Sequence, residues 1–287
     1  MKASWILTPH FLDDYDPGLA VAVPDNAKIN GPHEISDRSP NNLKVIHAPI
    51  AKFVRDAAVD GCLPVSVAGD CVASIPVMSG LQAAGLNPQL VWLDGHADFN
   101  TPETSPSQFL GGMPLAMMVG RGWKEIVDNV ALKPISEQDV WLVGARDIDP
   151  LEKVALEVSS VNRATLDVFA SLSVERPVHL HLDNDVIEAT EVPANNYPVS
   201  GGPSSPELIA EGQQLFNIAC KSCHGLDGYG TAMAPAVNNQ IFLSETPDAA
   251  IYQIIAGGVP DTLMPAWGNR LTDRDIAPEK LTMPAPL

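Results

Sequence analysis

From Trp5 to about Gly201 the chain alternates short apolar runs with longer mixed stretches. The runs are Trp5–Leu7, Val65–Ala68, Leu90–Asp94, Val140–Val143 and Val178–Leu182. They are short, rich in Val, Leu and Trp, and mostly run into Gly or Asp. That pattern predicts short strands buried on both faces, as in a parallel sheet. The stretches between them carry helical spacing. Val45, Ile46, Ile50, Phe53, Val54 and Ala58 predict a helix over 45–59. Residues 74–84 predict a second, with Gly85 as its C-terminal stop, and residues 114–119 a third. Strand–helix alternation of this kind specifies an α/β domain with helices on both faces of the sheet.

The pattern breaks at Glu191–Ser205, a run rich in Pro, Gly, Ser and Asn that reads as a loop. It divides the chain into residues 1–202 and 203–287. Beyond it, Ser204 or Ser205 can cap a helix with Pro206 in its first turn and Leu208, Ile209, Leu215 and Phe216 as its apolar stripe. A further helix is expected from Pro247 to Ala256, capped by Thr246 and stopped by Gly257-Gly258.

Charge narrows the partners. The chain has 35 acidic and 17 basic residues, a net of −18, and both parts are acidic. Such a surface repels nucleic acid and anionic membrane. No apolar run is long enough to span a bilayer. Met1 to Pro17 has one Lys and then Asp13, Asp14 and Asp16, unlike the basic and apolar start of an export signal, so a cytoplasmic protein is expected. Four cysteines in a chain of 287 residues are not a disulfide scaffold.

Three segments carry the candidate chemistry: Ala68-Gly69-Asp70-Cys71, Asp94-Gly95-His96-Ala97-Asp98 and Asp183-Asn184-Asp185. Each follows an apolar run, and ligands of open α/β sheets bind at the carboxyl ends of strands. Residues two apart in extended chain point the same way. Asp94, His96 and Asp98 share one spacing, as do Asp183 and Asp185. Five such groups in one crevice repel one another unless cations lie between them, and oxygen donors with a His suit Mn²⁺ or a similar divalent ion. His179 and His181 alternate with leucines on the run to Asp183 and face the same side as the aspartates. His179 is expected to be structural and His181 to stand behind the aspartates. Arg146 and Asp147 are expected to form a buried ion pair. His10, His33 and His47 lack any partner pattern and are expected at the surface or in loops.

The segments VSVAGDC (65–71), VWLDGHADFNTPETSPSQFLGGMPLA (91–116), VWLVGARDIDPLE (140–152) and HLDNDVIEATEVPANNYPVSGGPS (181–204) resemble the arginase/agmatinase (ureohydrolase) family. The resemblance implies an arginase-like three-layer α/β fold with a parallel sheet, truncated at its C-terminal end. It also implies two divalent metal ions bridged by Asp94 and Asp183. Cys71 and Asp98 complete one site, and His96 and Asp185 the other. A hydroxide held between the ions is then the nucleophile, aimed at the C–N bond of a guanidino or amidino compound. Asp98 orients it, a protonated carboxyl helps the amine leave, and Asn100 and Ser107 contact the substrate. The family usually has His where Cys71 stands. A thiolate there favours Zn²⁺ or Fe²⁺ over Mn²⁺. Gly95 replaces the usual Ala, a mild change, and Gly111 stands where arginases carry a proton-shuttling His.

Cys220-Lys221-Ser222-Cys223-His224 is a C-x-x-C-H run at the end of a predicted helix. Two thiols so spaced can reach both vinyl groups of a haem while the His ligates iron; zinc or thiol exchange are the alternatives for the bare C-x-x-C. With Gly257-Gly258-Val259-Pro260-Asp261-Thr262-Leu263-Met264-Pro265-Ala266-Trp267, it resembles a class I c-type cytochrome, a small all-α domain. The resemblance implies haem c on Cys220 and Cys223, with His224 and Met264 axial, and electron transfer to a redox partner protein. Attached haem implies a periplasmic location. A small-molecule substrate is expected for the first part, and a homo-oligomer is left open.

Overall fold

The computed structural model describes residues 3–166, 176–193 and 195–208. In chain order the elements are β1 (Ala3–Thr8), β2 (His10–Phe11), β3 (Asp14–Tyr15), β4 (Lys28–Ile29), α1 (Pro40–Val59), β5 (Leu63–Ala68), α2 (Ser74–Ala83), β6 (Gln89–Leu93), α3 (Pro114–Met118), α4 (Lys124–Asn129), β7 (Val140–Val143), α5 (Pro150–Glu157), β8 (Asn162–Ala164) and β9 (Val178–Leu182). The haem candidates Cys220, Cys223, His224 and Met264 and the predicted helix at 247–256 lie outside the described residues.

The strands form two parallel sheets, β4-β1-β5 and β8-β7-β6-β9, and a small antiparallel ribbon, β2-β3. Trp5 of β1 is in register with Val65 of β5, and Trp92 of β6 with His181 of β9. Strand β6 shows why its sequence is apolar from Leu90 to Leu93. Leu90 and Trp92 enter one core cluster, while Val91 and Leu93 enter another on the opposite face. Successive side chains of a strand alternate between faces, so a strand covered on both sides needs apolar residues throughout.

The larger cluster receives residues from each of the helices α1 to α5, including Ile50 of α1, Met78 of α2, Leu115 of α3, Ile126 of α4 and Leu156 of α5. On the other face, Val91, Leu93, Val143 and Val186 pack with Trp141, Ala164, Leu166, Ile187 and Leu208. Helix α1 begins earlier than its apolar spacing predicts, because Pro40 occupies the first turn behind Ser39. Gly85 follows α2 at φ +82°, the left-handed conformation that glycine reaches without strain.

Two surface expectations fail. His10 and His47 are both buried. His47 lies on the core side of α1 with Leu43, Ile46 and Ile50, and desolvation lowers its pKa to about 4, so it stays neutral. Arg146 does not pair with Asp147, whose side chain is 71% exposed. Its guanidinium instead donates to the carbonyls of Gly144, Asp185, Val199 and Ser200. It thereby ties the loop after β9 to the loop after β7.

Candidate metal centre

The crevice is built where β5, β6 and β9 end. Past β6 the chain stays in ladder register for one more residue: Asp94 N–H donates to Val143 O, and Asp183 N–H donates to Leu93 O. This aligns Asp94 with Asp183. The Asp183 side chain accepts from Asp185 N–H, and that of Asp94 from His96 N–H. Each carboxylate therefore caps the turn that presents the next candidate ligand. Asp70 does the same for Cys71. Its carboxylate accepts from Leu12 N–H and Val72 N–H, and burial raises it to about 6 against those bonds.

Two donor sets result. Cys71, Asp94, His181 and Asp183 each offer one atom within 4.8 Å of the others, and so do Asp94, His96 and Asp185. Asp94 belongs to both. It is 1% exposed and accepts from Trp92 Nε1–H at 3.0 Å. Cys71 Sγ donates to Asp183 Oδ2 at 2.9 Å, and His96 Nδ1 lies 3.0 Å from Asp185 Oδ2. Asp98 sits outside both sets, buried at φ +49°, and its Oδ2 has no hydrogen-bond partner. Its backbone carbonyl accepts from Leu115 N–H and Ala116 N–H at the start of α3, which fixes the turn.

The electrostatics are those of crowded carboxylates. Burial and the neighbouring carboxylates of Asp94 and Asp183 push Asp98 well above the usual carboxylate range. Burial together with Asp98, Asp183 and Asp94 likewise raises the Cys71 thiol. Burial raises Asp185 to about 6 despite its bond to His96. Burial opposes charge on His96, but Asp185 and Asp94 outweigh it and lift the ring to about 11. Asp94 is held low by His181 and His96 even though burial works the other way. Four carboxylates and a thiol thus face two imidazoles. A buried unpaired carboxylate such as Asp98 is costly, and divalent cations would relieve it. The donor set therefore fits metal.

The remaining expected site residues are engaged elsewhere. Asn100 Nδ2–H donates to Asp149 Oδ2, and its Oδ1 accepts from Thr104 Oγ1–H. Ser107 is exposed, and its Oγ accepts from Phe109 N–H. At Gly111 a Cβ would come within 2.4 Å of the Phe109 ring, so that position cannot carry a side chain unless the ring moves. Gly95 is similarly confined: a Cβ would stand 2.7 Å from Asp185 O and 3.0 Å from its Oδ1. In this chain the change from Ala to Gly is therefore not mild. His181, expected behind the aspartates, stands among them in the first donor set. The H-L-H-L-D alternation was the available signal. Ser74, which touches it, carried none.

Comparison with known proteins agrees with this architecture. The model of the arginase family matches residues 2–227, and that of cytochrome C oxidase, cbb3-type, subunit III matches residues 207–278. The hepatic arginase of Aquarana catesbeiana is 29% identical over 210 residues, covering 64% of this chain and 63% of the relative. An arginase of Schizosaccharomyces pombe is 28% identical over 215 residues, covering 67% and 66%. The chain thus spans about two-thirds or less of the length of these relatives. The crystal structure of arginase from Bacillus cereus superposes with a TM-score of 0.63 at 24% identity, over 75% of this chain and 86% of that one. The parallel sheets with carboxylates at their ends are therefore an arginase-like α/β fold. This chain belongs to the arginase family and carries a cytochrome c domain of the cbb3 subunit III type at residues 207–278.

Proposed function

We propose that the first part of the chain is a metal-dependent hydrolase of the ureohydrolase type, cleaving a C–N bond of a guanidino or amidino compound. The observation that carries this is the buried carboxylate of Asp94, common to two adjoining donor sets. Cys71, Asp94, Asp183 and His181 would hold one ion, and Asp94, His96 and Asp185 would hold the other. When bound, the ions supply Lewis acidity and lower the pKa of water enough for attack near neutral pH. Asp98, whose Oδ2 has no hydrogen-bond partner, would orient the attacking hydroxide, and a protonated carboxyl would help the amine leave. Asn100 and Ser107 are the proposed substrate contacts. Mn²⁺ is the family expectation, and Cys71 shifts the choice toward Zn²⁺ or Fe²⁺.

The second part, from about residue 203, is proposed as an electron-transfer c-type cytochrome. Cys220 and Cys223 would hold the haem, with His224 and Met264 axial and a redox protein as partner. Attached haem would place the chain in the periplasm; without it, the cytoplasm remains the proposal. Gly111 favours a second reading, in which the arginase-like part binds metal without turnover and electron transfer is the whole activity. The test is release of urea or ammonia from a panel of guanidino and amidino compounds by the metal-loaded full chain. Metal-dependent release supports the hydrolase. Metal binding without release from any compound contradicts it and leaves the second reading.

A further inference from the structure

His181 is built as a ligand. Its Nδ1 lies 2.7 Å from Ser74 Oγ, at the first residue of α2, and its ring stacks on Trp92 with centroids 3.6 Å apart and planes 18° from parallel. These two contacts fix both position and rotation of the ring. Its other nitrogen, Nε2, is buried without a hydrogen-bond partner, on a side chain only 10% exposed. That nitrogen lies 3.8 Å from Asp94 Oδ2, too far for a hydrogen bond. His181 also belongs to the donor set with Cys71, Asp94 and Asp183. A buried ring nitrogen left unpaired is costly, while ligating histidines are held in this way, with one ring nitrogen on a hydrogen-bond partner and the other free for the metal.

We propose that His181 Nε2 and Cys71 Sγ together make one of the two metal positions a thiolate–imidazole–carboxylate site, completed by Asp183 and Asp94, that selects Zn²⁺, Fe²⁺ or Co²⁺ over Mn²⁺. The other position, with Asp94, His96 and Asp185, has only oxygen donors and one imidazole and tolerates Mn²⁺. Soft thiolate with imidazole suits tetrahedral Zn²⁺-like ions, whereas Mn²⁺ prefers oxygen. Binding replaces the Cys71 thiol proton and the Sγ–H contact to Asp183; the proton leaves to solvent and the carboxylate is freed for the ion. The inference rests on the metal-dependent reading above but needs no turnover.

The test uses the full chain titrated with Co²⁺, followed by absorption spectroscopy. A thiolate-to-cobalt charge-transfer band in the near ultraviolet, with the strong visible bands of a tetrahedral ion, is expected. Cys71→Ser should abolish the charge-transfer band. His181→Leu, whose apolar side chain suits the Trp92 face, should weaken one Co²⁺ equivalent by at least about ten-fold and leave the other. Ser74→Ala, a milder change, should weaken the same equivalent by about ten-fold through loss of ring orientation. It also serves if the leucine variant does not fold. Zn²⁺ should displace the Co²⁺ responsible for the band, and Mn²⁺ should not. Co²⁺ bound without a thiolate band, or bound to His181→Leu with unchanged spectrum and affinity, overturns the inference and leaves the hydrolase standing. No binding of any ion overturns both.

Discussion

At the scale of single residues, burial decides which titratable groups the fold can tolerate charged. His47 is a clean case because it lies in α1, away from the carboxylate crevice. Its folded pKa of about 4 lies below the unfolded value near 6.5, so below that value the unfolded chain binds a proton that the folded chain refuses. Its contribution is constant above pH 6.5. Stability is lost as pH falls from 6.5 toward 4, by about 3 kcal/mol in total. Urea unfolding of the wild type and of His47→Leu at pH 7 and pH 4.5 measures this. The variant should lose less stability on acidification, whereas equal losses would contradict the burial account. Much of the crevice was legible at this scale. Asp94, His96, Asp183 and Asp185 stand out as pairs two apart after apolar runs. His181 was half legible, since alternation gives its side of the strand but not its distance from Asp94. The burial of His47 was missed because an isolated His in a helical stripe has the same pattern whether it faces solvent or core.

At the scale of elements, the crevice depends on how closely loops meet at the strand ends. Gly95 allows the Asp183–Val186 turn to sit against the β6 loop, where Gly95 N–H donates to Asp185 Oδ1. Gly95→Ala should cost about 1–3 kcal/mol by overpacking. It should also weaken the ion held by His96 and Asp185 more than the one held by Cys71 and His181, as competitive metal titration would show. An unaltered affinity at both positions would mean that the turn is looser than its contacts imply. The strands β6 and β7 were legible because burial on both faces leaves nearly uninterrupted apolar runs. By contrast, β5 has no buried residue and β9 exposes Val178, Leu180 and Leu182, so these two were legible from their apolar residues without being buried on both faces. The two-residue strands β2, β3 and β4 were not, since two residues carry no period. β8 (Asn-Arg-Ala) has no apolar signature and is set by pairing with β7. Helix α5 had a readable start in Asp149-Pro150-Leu151-Glu152, where Glu152 Oε2 accepts from Asp149 N–H. Glu152 also accepts from Phe99 N–H, linking that helix start to the Asp98 turn.

At the scale of the whole molecule, the acidity acquires a partial reason. Some of the net −18 is concentrated where divalent ions would neutralise it. The fold class was legible from strand–helix alternation. The separation of the parallel strands into β4-β1-β5 and β8-β7-β6-β9 was not, because pairing order depends on contacts remote in sequence. What joins the two sheets at the crevice is side-chain chemistry, through Cys71 with Asp183 and Ser74 with His181. A hydrolase and an electron carrier on one chain make separate demands, and each can be measured on the same sample by metal analysis and a haem stain. The most direct measurement is the metal content of the full chain after reconstitution with divalent ions and removal of excess, beside that of Asp94→Asn. Two tightly held ions per chain in the wild type, both lost when the shared carboxylate becomes an amide, are expected. A wild-type chain that retains no ion, or an Asp94→Asn chain that retains both, would contradict a crevice organised around Asp94.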